Sequence, residues 1–301
     1  MVGPNSRRLP RLLANGHAAM TPPAQGPLLT RKVHEALAAA ARSGGGAVEC
    51  SLDLERSRTV AEVETGGWRW QGARYPFLEP CRDRTVYFWA GSGFEPAARF
   101  REALYKLVPT DWGPPTFEID GIKMLPTARV SPWEDARAKV ALVEPRGKAV
   151  LDTCGGLGYF AASCVEAGAG AVLSFESSAE VLWLRTLNPW SPAPGGALTL
   201  EHGDAVERVA SLPSASFDAL LHDPPRFGIA GELYSQDFYG QLARVLKPGG
   251  RLFHYVGTPN RLTSGRDVPA EVARRLERAG FETQPRGDGI LARRRRTPRR
   301  P

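Results

Sequence analysis

The chain has 301 residues, with 39 Lys and Arg against 32 Asp and Glu, and a formal net charge of +7. That is an ordinary globular composition, rich in Gly and Pro, and long enough for one domain of roughly 150–200 residues plus something smaller. No apolar run approaches the ~20 residues of a membrane helix, and no unbroken apolar stretch follows the N-terminal arginines, so neither a spanning helix nor a secretory leader is expected.

The charge is unevenly spread. Residues 1–32 carry +5 without a single acid and residues 293–301 carry +6, so the remainder is at −4. The basic character therefore sits at the two ends. Each end is either a solvated, disordered tail or a partner for RNA phosphates through counterion release. The four cysteines, Cys50, Cys81, Cys154 and Cys164, lack disulfide or zinc spacing. They are expected to be reduced thiols of a cytoplasmic, metal-free protein.

In chain order, residues 1–30 form a disordered basic N-terminus rich in Pro, Gly and Arg. Residues 31–42 have helical composition and stop at Ser43-Gly44-Gly45-Gly46. Short β-like runs follow at 47–54, 58–64, Trp68–Trp70, Thr85–Trp89 and Phe117–Ile119. With the initial helix they make a small β-rich N-terminal module over residues 31–128.

Beyond residue 130 the rhythm changes. A helix is predicted over Asp135–Val143, then strands at Ala149–Asp152, Ala171–Glu176, Leu198–His202, Phe217–His222 and Arg251–Val256. Helices lie between them at Tyr159–Ala167, Ala179–Leu187, Ala205–Ser211 and Gln236–Leu246. A last helix, Pro269–Ala279, precedes a hairpin of Phe281–Gln284 and Gly289–Ala292. Alternation of this kind predicts an α/β fold, a Rossmann-like parallel sheet over residues 130–292, followed by an Arg-rich tail at 293–301. Ligands then gather beyond the carboxyl ends of the strands. Lys247-Pro248-Gly249-Gly250 is read as a left-handed helix cap and a tight turn.

Asp152-Thr153-Cys154-Gly155-Gly156-Leu157-Gly158-Tyr159 joins the first of these strands to its helix. Glycines permit a sharp turn and close backbone approach by a ligand. Gly156-x-Gly158-x-x-Ala161 alone also fits a nicotinamide dinucleotide site. Asp152 would repel a pyrophosphate, however, and suits a cationic ligand. Glu176, 18 residues after Gly158, ends the next strand, where an acid accepts ribose hydroxyls. Glycine turn and acids together point to a sulfonium nucleoside.

These residues resemble motif I of the class I S-adenosylmethionine-dependent methyltransferases, with Glu176 as the motif II acid. The resemblance implies that Asp152, Gly155, Gly156 and Gly158 meet the methionine part of S-adenosylmethionine and that Glu176 holds the ribose. Asp204, in His202-Gly203-Asp204, is either the acid near the adenine amino group or the N-cap of the helix from Ala205. Trp190, in Asn188-Pro189-Trp190-Ser191, either covers the adenine or belongs to a core.

Asp223-Pro224-Pro225-Arg226-Phe227 follows the fourth strand, where two prolines fix an extended exit. It resembles the Asp-Pro-Pro-aromatic motif of amino-group methyltransferases. That implies catalytic roles for Asp223 and Pro224 and a nitrogen acceptor; with the basic ends, RNA, tRNA among it, is the expected substrate. Arg226 replaces the aromatic, and Phe227 comes one position late. Arg226 is then either a clamp for phosphate or carboxylate, or a rim salt bridge. Phe227, Tyr234 and Tyr255 are candidate walls of the acceptor pocket; His222 and His254, inside strands, are read as packed.

Glu232-Leu233-Tyr234-Ser235 through Phe238-Tyr239 is similar to spermidine synthase-like aminopropyltransferases and to the methyl-transferring domain of a tRNA wobble-uridine modification enzyme. The whole set, with Asn-Pro-Trp-Ser and His254-Tyr255-Val256-Gly257, resembles a little-characterised group of predicted archaeal-type methyltransferases. Three rivals to a methyltransferase stand beside it: an aminopropyltransferase acting on a polyamine, a nicotinamide oxidoreductase, and a catalytically silent RNA-binding protein on the same fold.

Overall fold

The computed structural model describes residues 26–225, 230–257 and 267–296. These fall into two compact units. One comprises residues 26–135 with 180–191; the other comprises 136–179 and 192–296 of the described chain.

The first unit opens with strand β1 (Leu28–Leu29) and helix α1 (Arg31–Arg42). Thr30 caps α1 by accepting the Val33 N–H at 3.4 Å, and the helix ends at Ser43, before the glycine run. Its apolar stripe, Val33 and Leu37, packs into a core with Leu29, Leu52, Val63, Trp68 and Tyr75. Trp68 is fully buried and stacks on Tyr75 at 4.6 Å.

Three small antiparallel sheets complete the unit. Strands β2 (Gly46–Cys50), β3 (Thr59–Glu64), β4 (Gly67–Trp70) and β5 (Ala73–Tyr75) form one meander. β6 (Tyr87–Trp89) pairs with β1 and with β7 (Phe94–Pro96). β8 (Ala98–Phe100), β9 (Leu104–Val108), β10 (Thr116–Ile119) and β11 (Ile122–Lys123) form the last sheet. β2, β3, β4, β6 and β10 match expected strands; β5, β7, β8, β9 and β11 were not expected, and β1 lies in residues expected to be disordered, where Leu28 and Leu29 are buried by pairing with β6.

Helix α2 (Pro132–Val143) leads into the second unit, starting before the predicted Asp135 because Ser131 accepts the Glu134 N–H at 3.0 Å. There follow β12 (Ala149–Asp152), α3 (Tyr159–Glu166), β13 (Ala171–Glu176), α4 (Ala179–Leu187), β14 (Leu198–His202), α5 (Ala205–Ser211) and β15 (Phe217–His222). A short 3-10 helix (Gly231–Tyr234), α6 (Gln236–Val245), β16 (Leu246–Tyr255), α7 (Val268–Arg278), β17 (Phe281–Arg286) and β18 (Gly289–Arg294) complete it. Most of α4 groups with the first unit, where Arg99 lies 3.7 Å over the Trp183 ring and Arg101 reaches Glu180 at 3.4 Å.

The seven strands run in the order β14-β13-β12-β15-β16-β18-β17. The first five are parallel; β18 is antiparallel to both neighbours. The architecture is thus the expected α/β one: a Rossmann-like sheet in one unit and a small β-rich module in the other. Strand order reverses at β12, which pairs with β13 on one side and β15 on the other, creating a crevice at the carboxyl ends.

One local expectation is corrected. Gly249 does take a left-handed φ of 81°, but α6 is closed by the extended Leu246, not by the glycines. Leu246 already pairs with Phe217 of β15. Residues 247–250 are a bulge inside β16, and regular pairing resumes at Arg251 opposite Ala219.

Candidate active site

Parallel register places Asp152 between Ser174 of β13 and Leu221 of β15. Asp152 is fully buried, and the Ser174 hydroxyl donates to its Oδ2 at 2.8 Å. A serine in the otherwise apolar run Ala171–Glu176 is the signal that sequence reading missed: it anchors a buried acid on the neighbouring strand.

The chain then turns. Thr153 N–H donates to Leu221 O at 3.1 Å, and Gly155 N–H donates to Phe175 O at 2.7 Å. Gly156 and Gly158 have φ of 49° and 85°, and Gly158 stands at the N-cap of α3 with no side chain to cap it. Glycine is required where the left-handed region meets a helix start. Glu176 closes the turn: Oε2 accepts the Gly156 N–H and Oε1 accepts the Ser178 N–H, both at 2.8 Å. A carboxylate has about four acceptor directions, so this clamp is compatible with acceptance from a ribose diol.

Asp204 is exposed, and its Oδ1 accepts the Val206 and Glu207 N–H groups at 2.7 and 3.3 Å. Of the two roles open to it in the sequence, capping is filled. Trp190 lies in the first unit, where Nε1 donates to Leu54 O at 2.9 Å and the ring sits 5.5 Å from that of Trp133.

At the end of β15, Asp223 is half-buried and Pro224 buried. Arg226 and Phe227 lie outside the described residues. The Tyr234 hydroxyl, expected to face an acceptor, donates to Pro225 O at 3.0 Å. It is a buried wall that holds the proline exit. Burial first, and the Asp223 charge next, push its phenol upward. Tyr255 ends β16, its ring 4.3 Å beneath the Lys139 ammonium, which pairs with Asp288 at 3.1 Å. Lys139 is 5% exposed, and nothing in the sequence of α2 marks it as lying beside this strand end.

Cys154 ties these groups together. Burial raises its thiol well above the ordinary range, and the charges of Asp152, Glu176 and Asp223 raise it further, against a hydrogen bond with Thr153. The three acids end, or directly follow, the adjacent strands β12, β13 and β15. The neutral thiol is no nucleophile. Acids clustered around a glycine turn in a partly desolvated crevice favour a cationic ligand.

The Arg-rich end lies elsewhere. Arg293 pairs with Arg251 in β16, four positions before Tyr255 in the register, or about 13 Å down the strand at ~3.3 Å per residue. Its Nε donates to Gly249 O at 3.3 Å. β18 therefore ends, at Arg294, at the opposite end of the sheet from the carboxyl ends of the parallel strands. Among the described residues no helix is long and apolar enough to cross a membrane, and no group of three or more His, Cys, Asp or Glu could hold a metal ion.

No family model matches the chain. A solved spermidine synthase, in complex with the transition-state analogue AdoDATO, superposes with a TM-score of 0.51 at 15% identity, covering 65% of this chain and 72% of that one. Over the aligned part, the fold is that of this solved spermidine synthase. At 44% identity over 198 residues, the chain belongs to the same family as the uncharacterized protein MJ1233 of Methanocaldococcus jannaschii, with 65% of this chain and 68% of that one aligned. A shorter stretch is 47% identical over 57 residues to Polyamine aminopropyltransferase 2 of Streptomyces coelicolor, 18% of this chain and 10% of that enzyme's length.

Proposed function

We propose that this protein transfers an alkyl group from a sulfonium nucleoside of the S-adenosylmethionine type to an amine nitrogen held at Asp223. The observation that carries this reading is three acids at the carboxyl ends of adjacent strands: Asp152 ends β12, Glu176 ends β13, and Asp223 directly follows β15. Within that class, aminopropyl transfer to a polyamine is the reading favoured by the local likeness to a polyamine aminopropyltransferase. Methyl transfer from S-adenosylmethionine is the second reading; the Asp223-Pro224-Pro225 motif favours it. An RNA acceptor has less support, because the described arginines at the end of β18, Arg293 and Arg294, lie at the opposite end of the sheet from the acids.

The residues present fit such a nucleoside. Left-handed glycines at 156 and 158 would let it approach the backbone, and Glu176, held by two backbone donors, would accept from its ribose. Asp152 and its Ser174 anchor would face the charged, amino acid-derived part. When bound, the nucleoside supplies an activated carbon and a neutral thioether leaving group. The protein's task is alignment and proton management. Asp223 would orient the amine, keep its lone pair toward the crevice, and accept the proton released as the C–N bond forms. Tyr234 holds the proline exit so that Asp223 keeps its place.

The test is a transfer assay with two labelled donors. Purified protein is incubated with putrescine or spermidine and either decarboxylated S-adenosylmethionine labelled in the aminopropyl chain or S-adenosylmethionine labelled in the methyl group. Aminopropyl label in a longer polyamine supports the first reading. Methyl label in an amine product moves the assignment to the second. No transfer from either donor to these amines or to pooled cell RNA and metabolites would overturn the proposal.

A further inference from the structure

Directly behind the acids, two histidines of neighbouring strands occupy the same register: His222 of β15 opposite His254 of β16. Both are fully buried, with ring centroids 4.4 Å apart. Their hydrogen bonds fix their tautomers. Leu233 O, 3.0 Å from His222 Nε2, can only accept, so that nitrogen carries the proton. His222 Nδ1 is then an acceptor, and the Thr153 hydroxyl at 2.7 Å donates to it. By the same logic His254 Nδ1 donates to Tyr255 O at 2.7 Å, and Nε2 accepts from the Tyr239 hydroxyl at 2.8 Å.

One imidazole therefore joins three pieces of the crevice. Thr153 is the first residue of the glycine turn. His222 itself precedes Asp223. Leu233 belongs to the 3-10 helix that carries Tyr234, whose hydroxyl returns to Pro225 O. Tyr234 is tied from behind as well, its carbonyl accepting Arg275 Nη1 at 2.7 Å.

We propose that His222 is a positioning residue, which sets Asp223 and the Tyr234 hydroxyl against the glycine turn through its paired contacts with Thr153 and Leu233. Acting through Asp223, it rests on the reading above. Two rings this close in an apolar surround stay uncharged, as burial dictates for each. They serve as fixed polar braces and not as proton carriers.

The two contacts can be separated. His222→Asn places its amide near the Thr153 contact and gives up Leu233; His222→Gln reaches Leu233 and gives up Thr153. In the unliganded protein, imidazole 15N spectra should show Nε2-protonated His222 and Nδ1-protonated His254 throughout pH 6–8. His222→Asn should speed amide exchange in residues 231–235 by about tenfold, and His222→Gln should restore it, with α1 and the β2–β5 meander unchanged. His222→Gln should instead loosen residues 153–156. In turnover, His222→Asn should lower kcat with the donor KM held within about threefold, whereas His222→Gln should lower kcat and raise the donor KM as well.

A charged or Nδ1-protonated His222, exchange unaltered by His222→Asn, or exchange raised evenly across both units would each overturn the proposal. If the wild-type protein bound no sulfonium nucleoside, the functional reading would fall instead. The tautomer and exchange results would still decide whether the brace exists.

Discussion

Glu176 accepts the Gly156 N–H at 2.8 Å, so the acid that ends β13 is also the clasp of the glycine turn after β12. Sequence places these residues 20 positions apart; the parallel pairing of the two strands brings them together. Under the proposed function, one carboxylate would link nucleoside binding to the geometry of the turn.

Glu176→Gln should therefore weaken nucleoside affinity by about 10- to 100-fold, since charge-assisted hydrogen bonds contribute roughly 1.5–3 kcal/mol. An amide also presents an N–H to one of the two backbone donors. Calorimetric titration checks this. Unchanged affinity would remove Glu176 from the binding site.

Gly158→Ala asks a side chain to adopt φ of 85°. The left-handed region costs a non-glycine residue roughly 1–2 kcal/mol, and a fall of that size in unfolding free energy is expected. Urea denaturation measures it. A stability equal to wild type would mean that the turn rearranges easily.

The extent to which these features were legible in the sequence differs between the units. In the sheet of the second unit, the ranges Ala149–Asp152, Ala171–Glu176, Leu198–His202 and Phe217–His222 match the sequence reading. Three are short, largely apolar runs, and Leu198–His202 alternates Leu with Thr and Glu; Asp, Glu or Gly stands at or next to an end of each. β8 and β9 were not legible. Ala98–Phe100 is three residues with exposed Arg99 and Phe100, and Leu104–Val108 lacks alternation. Their strand character comes from pairing with each other and with β10, which a local pattern does not record. The glycine turn, Glu176 and Asp223 were legible because each sits at a strand end. Ser174, Lys139 and the inward role of Tyr234 depend on neighbours far away in the chain.

Asp223→Asn keeps size and most hydrogen-bonding capacity but cannot take a proton. A positioned general base contributes about 10²–10⁴-fold, and kcat should fall within that range while nucleoside affinity stays within about threefold. Single-turnover transfer to an amine measures both. Full activity would exclude Asp223 as the base.

Acid should destabilise the fold through His222. Its folded pKa is lowered from 6.5 to about 4 because the ring is buried. Between those values the unfolded chain binds a proton that the folded one does not. Stability is thus fully present above pH 6.5 and lost as pH falls toward 4, by about 1.4 kcal/mol per pH unit while the gap lasts. His254, also lowered, acts in the same direction. Urea unfolding at pH 7 and pH 5 should show the loss, and His222→Asn should reduce it.

The most direct test of the sulfonium-nucleoside site is calorimetric titration of the full chain with S-adenosylmethionine and with its decarboxylated form, repeated on Glu176→Gln. Saturable one-site binding of at least one compound, weakened in the variant, is the expected result. Absence of binding by both at millimolar concentration, or binding indifferent to the variant, would contradict it.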